Sequence, residues 1–187
     1  MKILKFIMIF ISIVVTMQGC DLKPEEVTKS SLRLYESSDS VKELYLTYKD
    51  DFLRISRLLE NSEEFFWEND DCLFPNTKYD YSEYFTEEEW NELTSFVQLT
   101  GLYNISCERI WVYMGTNDER YGVRITYWFH TINPSTQCAI VSLSDETDKD
   151  IEVEFMEKWN RLFSRRYTVD IETIDDGWYF IINNLKE

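Results

Sequence analysis

His130 is the one histidine among 187 residues, so a Ser–His or Cys–His nucleophile would have to draw on it. It sits in a segment where Val123, Ile125, Tyr127 and Phe129 recur with period two, and its parity is opposite to theirs. That pattern predicts a half-exposed strand histidine. No G-x-S-x-G or other nucleophile turn is present. Carboxylates number 35. Glycoside hydrolysis needs two carboxyls about 5–10 Å apart across a cleft, and with so many acids some pair meets that spacing by accident. Asp145, Asp148 and Asp150 have the oxygen chemistry of a calcium site, but the run lacks the glycine and terminal glutamate of an EF-hand and reads as a solvated turn. Gly101, Gly115, Gly122 and Gly177 are single turn glycines, not a phosphate loop or dinucleotide fingerprint. The sequence thus predicts no catalytic residue, no metal and no cofactor.

The aromatic clusters are the more unusual feature: Phe65-Phe66-Trp67, Tyr79 to Phe85, Tyr127-Trp128-Phe129 and Trp178-Tyr179-Phe180. Consecutive rings in a strand point to opposite faces, so Trp128 turns away from Phe129, and Tyr179 away from Trp178 and Phe180. If helices cover one face of the sheet, rings are left on the other. Trp67, Tyr79, Tyr81, Trp128 and Tyr179, interleaved with carboxylates, then form a candidate binding surface for a protein or carbohydrate. The competing reading has a loop or a third helix over them.

Cys20, Cys72, Cys107 and Cys138 do not have the close paired spacing of a zinc site. A strand turn near Asn117–Asp118 places Cys107 opposite Phe129. Taking Ala139, Val141 and Leu143 onto the Phe129 face turns Cys138 the other way, about two strand spacings from Cys107, too far for a bridge. An oxidised pair is therefore expected to contain Cys72, with Cys138 as the preferred partner.

These groups must be positioned by elements with clear signals. Ser40 and Glu43 have capping-box spacing. Val41, Leu44, Tyr45, Tyr48, Phe52, Ile55 and Leu59 follow at steps of three and four, predicting one helix to about Glu60. Residues 63–85 read as a short helix and an irregular loop. Thr86 and Glu89 open another helix, with Trp90, Leu93, Phe96 and Val97 inward and Gly101 as its left-handed stop. Strands follow from Leu102, with turns at 116–121 and 133–135. Residues 151–163 mix both periods, with helix favoured in the second half. Asp175-Asp176-Gly177 joins the last two strands. The expected fold is α+β: an antiparallel sheet of four to five strands with two to three helices packed on one face. No internal repeat is seen.

The first residues carry Lys2 and Lys5 and no acid. Phe6 to Met17 is uncharged, apolar and twelve residues long, which suits a signal peptide and is short of the roughly 20 residues of a spanning helix. The run ends in Met17-Gln18-Gly19-Cys20, followed by Asp21. Over about twenty residues this resembles the bacterial lipoprotein precursors, with Gly19 and Cys20 matching and Met17 and Gln18 departing from the commoner residues. The resemblance implies that residues 1–19 are removed and that Cys20 carries lipid. The other reading is an ordinary signal peptide cut nearby, with Cys20 a disulfide partner. Residues 20–38 read as a lipid-anchored tether in which Leu32, Leu34 and Tyr35 can dock locally, and 39–187 as a single globular domain.

Losing Lys2 and Lys5 takes the net charge from −16 to −18. Such a charge argues against a nucleic-acid partner and equally against anionic lipid meeting the protein surface, because both need Lys and Arg. The expected partners are the membrane, through an N-terminal lipid, and a protein or carbohydrate ligand. Together these features predict a non-catalytic binding protein at the cell envelope, anchored by lipid and facing the periplasm or exterior. The alternatives are a small envelope hydrolase using paired carboxylates and a structural subunit of an envelope assembly.

Overall fold

The computed structural model describes residues 33–62, 73–74, 84–113, 119–143 and 149–186. Their order is β1 (Leu34–Tyr35), α1 (Ser38–Thr47), α2 (Lys49–Asn61), β2 (Leu73–Phe74), α3 (Glu87–Thr100), β3 (Asn104–Tyr113), β4 (Glu119–Thr131), β5 (Thr136–Leu143), α4 (Lys149–Phe163), β6 (Tyr167–Asp175) and β7 (Trp178–Leu185). The class is α+β, as the sequence predicts. The strands form one sheet in the order β2-β3-β4-β5-β7-β6, with β1 pairing parallel to β4 beyond the end of β3. All other pairings are antiparallel.

Four sequence expectations need correction. The single first helix is two helices, broken at Tyr48, whose φ of −116° and ψ of 27° leave the helical region. Its start is capped by Ser37, whose hydroxyl accepts from Ser40 N at 3.3 Å, and not by Ser40. Asp50 and Asp51 then fall in the first turn of α2, where negative charge suits a helix N-terminus. Among the described residues there are four helices and seven strands, more than expected. Helices also cover both faces of the sheet, not one.

The first core holds Val41, Leu44 and Tyr45 of α1, Phe52, Ile55 and Leu59 of α2, and Leu93, Phe96 and Val97 of α3. They pack on Ile105, Ile125, Tyr127, Phe129, Cys138, Ile140, Trp178 and Phe180. The second core, on the opposite face, holds Phe155 and Trp159 of α4 against Ala139, Val141, Leu143, Tyr179 and Ile181. The face assigned to Ala139, Val141 and Leu143 was therefore reversed: Phe129 pairs with Cys138, and Trp128 with Ala139. The run from Cys138 to Leu143 is buried without a break, the pattern of a strand covered on both sides.

The start of α3 forms as its sequence requires. Thr86 N donates to Glu89 Oε2 at 2.8 Å and Glu89 N donates to Thr86 Oγ1 at 3.3 Å. Gly101, at φ 59°, ends the helix, a conformation that a Cβ makes costly. The backbone N–H of Thr86, and then its hydroxyl, hold the Glu89 carboxyl below the usual range. Thr86→Ala should cost about 1 kcal/mol at neutral pH. A carboxylate with a depressed pKa contributes stability above its unfolded pKa of about 4.3 and loses it as the pH falls. The gap between parent and variant should consequently narrow below about pH 4. Urea unfolding at both pH values checks this; a gap that widens in acid would refute it.

Candidate functional site

The two predicted binding-surface residues that the structure describes lie beneath α4. Tyr179 is only 3% exposed, and its hydroxyl donates to Glu152 Oε1 at 2.7 Å. Burial, and then the Glu152 carboxylate, push its pKa above the usual tyrosine value. Trp128 is half-buried, stacked on Trp159 with centroids 5.5 Å apart, and donates from Nε1 to Ser106 Oγ at 3.2 Å. Neither presents an open ring to solvent. The physical reason is α4, which runs helical through its whole length and brings Phe155, Trp159 and Phe163 onto that face. Cys20, Trp67, Cys72, Tyr79 and Tyr81 lie outside the described residues, as do Asp145 and Asp148.

Under α4 the structure builds a charged cluster that the sequence reading missed. Arg124 projects from β4 with its side chain 7% exposed, its Cζ 5.3 Å from the Trp159 ring centroid and 5.7 Å from that of Phe155. Its Nη2 pairs with Glu108 Oε2, and Lys158 Nζ donates to Glu108 Oε1 at 2.6 Å. One carboxylate thus meets a guanidinium clamped on two rings and an ammonium from the helix above. Every one of these charges is engaged in fastening α4 to β3 and β4. Arg124 falls on the parity opposite to Val123 and Ile125, where alternation reads as a solvent-facing arginine, so no local signal marked it as buried.

His130 lies beside β1, paired with Leu34 on one side and Gln137 on the other. The Tyr103 ring stacks on it at 3.9 Å between centroids, with 12° between planes. Burial lowers its pKa, favouring the neutral imidazole. The half-exposed strand position matches the sequence reading. Among the described residues, no three His, Cys, Asp or Glu side chains converge as metal ligands.

Cys107 pairs with Ile125 and Cys138 with Phe129, so the register differs by four residues from that expected. An even shift keeps Cys107 on its predicted face, while Cys138 joins it there. They stand on strands flanking β4, four residues apart along it, and are not joined to each other. Burial pushes the Cys138 thiol up to about 11. Cys72 is one peptide step from Leu73, whose ladder partner Ser106 adjoins Cys107 on β3, whereas Cys138 lies beyond β4. This ladder adds Cys107 to Cys138 as an expected partner of Cys72. Non-reducing peptide mapping of the oxidised protein should link Cys72 to Cys107, and a Cys72–Cys138 peptide would exclude this.

Charge is distributed unevenly along the domain. The C-terminal end of α3 meets the incoming chain, where Arg33 N donates to Gly101 O at 3.1 Å. Fourteen residues away, about 21 Å along the helix axis, its first turn carries Glu87, Glu88 and Glu89. The β6–β7 turn, Asp175-Asp176-Gly177, lies at the sheet end opposite β1: Leu143 N donates to Gly177 O at 2.8 Å, and Asp175 pairs with Lys49. Compared with protein-family models, curated proteins and solved structures, the chain matches none.

Proposed function

We propose that this chain is an exported binding protein of the cell envelope. Lipid on Cys20 anchors it, and it presents an acidic surface to a cationic protein partner without performing catalysis. The observation that carries this reading is the separation of the entering chain from the acids. Residue 33 joins the fold at one end, while the acidic start of α3 and the Asp175-Asp176 turn lie away from it. A protein held by its N-terminus then keeps its carboxylates clear of the membrane, where they raise encounter rates with positive surfaces. The segment with Trp67, Tyr79 and Tyr81 precedes α3 in the sequence and carries further acids.

Anchoring and binding are tested separately. The parent should partition into detergent, and Cys20→Ser should release it or leave its precursor uncut; a serine variant processed and membrane-bound like the parent overturns the anchor. Cross-linking in intact cells, read by mass spectrometry, should recover basic proteins that are lost at high salt and with Glu87→Lys/Glu88→Lys. The same proteins recovered with the reversed charges would overturn the binding role.

A further inference from the structure

One end of this acidic protein is basic and apolar. It comprises residues 33–36, 101–104, 130–137, 161–168 and 183–186. The fold gathers them through β1 on β4, the bond from Leu185 N to Ser135 O at 2.8 Å and that from Lys186 N to Arg166 O at 2.9 Å. Arg33, Arg161, Arg165, Arg166 and Lys186 are all exposed there, against one acid among the described residues of these segments, Glu36. Glu187 follows Lys186 in the sequence. Leu34, Ile132, Leu162 and Leu185 are each more than half exposed at the same end.

We infer that this end seats on the membrane that holds the protein, against the anionic headgroups of its outer-facing lipid. Three features specify that occupant. The charge is complementary to anionic lipid in a chain whose sum is strongly negative. Arginines flanking exposed leucines suit an interface with a polar headgroup layer over an apolar one. The chain also enters the fold at this end: Cys20 lies 13 residues before Arg33, at most about 45 Å of chain, so a lipid on Cys20 confines this end to the bilayer surface. Confinement lets a weak adsorption fix an orientation, with the acidic surface pointing away. The inference rests on the anchor reading for that confinement, and it reverses what net charge alone predicts about lipid.

The test uses a chain beginning at residue 20 with Cys20→Ser, which retains every described element and removes the lipid from the measurement. Each basic residue near an anionic surface contributes on the order of a fivefold gain in binding. The unlipidated protein should therefore co-sediment with phosphatidylcholine vesicles containing phosphatidylglycerol, and not with phosphatidylcholine alone. Arg161→Glu/Arg165→Glu/Arg166→Glu should weaken this at least about a hundredfold, since three attractive charges are lost and three repulsive ones added, and salt should weaken it in the parent. Leu34→Ser/Ile132→Ser, which touches neither core, should weaken it by a smaller factor. Equal sedimentation with both vesicles, or a charge-reversed variant binding like the parent, would overturn the assignment. So would a lipid-free dimer lost in the same variants, which makes the patch a self-interface. Because no lipid is present on the protein, each outcome is independent of whether Cys20 is the anchor.

Discussion

Trp159→Ala should lower the unfolding free energy by about 3–5 kcal/mol, the range for removing a large buried ring. Trp159 is the residue through which α4 holds the sheet. Its ring stacks on Trp128 at 5.5 Å and on Phe163 at 4.9 Å, meets Phe155 at 5.8 Å, and lies under the Arg124 guanidinium. Its indole N–H makes a long bond to Asn183 Oδ1, 3.4 Å. The second core has two buried helix residues, Phe155 and Trp159, where the first is served by three helices. Trp159→Phe should recover roughly half the loss, since it keeps ring contact and gives up only the larger area and the bond. Hydrogen exchange should show α4 opening before the strands in the alanine variant. Chemical denaturation measures the total, and a loss under about 1.5 kcal/mol would mean that α4 is held by something else.

Glu108→Gln should cost about 2–3 kcal/mol. Removing one partner of a fully buried ion pair costs about 3–5 kcal/mol. The Glu108 side chain retains 23% exposure, which places the expectation below that. Arg124 cannot follow the lost charge into water because its guanidinium is pinned between Glu108 and the rings of Phe155 and Trp159. Lys158 reaches solvent, so Lys158→Met should cost less than about 1 kcal/mol. Converting the pair together, Glu108→Gln/Arg124→Met, should recover much of the single loss, and a double-mutant cycle should give a coupling of about 1–3 kcal/mol. If Glu108→Gln stays within about 0.5 kcal/mol of the parent, the cluster contributes nothing to holding α4.

Local features were readable wherever the physics is local. The cap of Thr86 and Glu89 and the stop at Gly101 depend on residues within one turn. So does the hairpin at Asp175-Asp176-Gly177, where Gly177 takes φ 68° and a Cβ would meet Leu143 O at 3.2 Å. The alternation in β4 and the mixed character of the chain were equally legible. The break at Tyr48 was not, because the apolar stripe runs through it without a fault; only the position of the sheet against α1 and α2 separates one long helix from two. Trp128 and Tyr179, the described members of the candidate surface, show the same limit. Period two says that Trp128 opposes Phe129, but it does not say which face is covered. The unbroken apolar runs of β5 and β7 were the available signal that both are.

Residue types and neighbours alone therefore determined the α+β class, the third helix with its caps, the strand periods and the resemblance to an export signal, since each depends on contacts a few residues apart. The tertiary structure decided the rest. Pairing and packing between distant segments set the sheet order, the closure of α4 over Trp128 and Tyr179, and the meeting of Glu108, Arg124 and Lys158. The same long-range contacts gathered Arg33, Arg161, Arg165, Arg166 and Lys186 at one end. Net charge is a sum over the chain, whereas a surface responds to the charges within about a Debye length, roughly 8–10 Å. Only the fold specifies which charges those are.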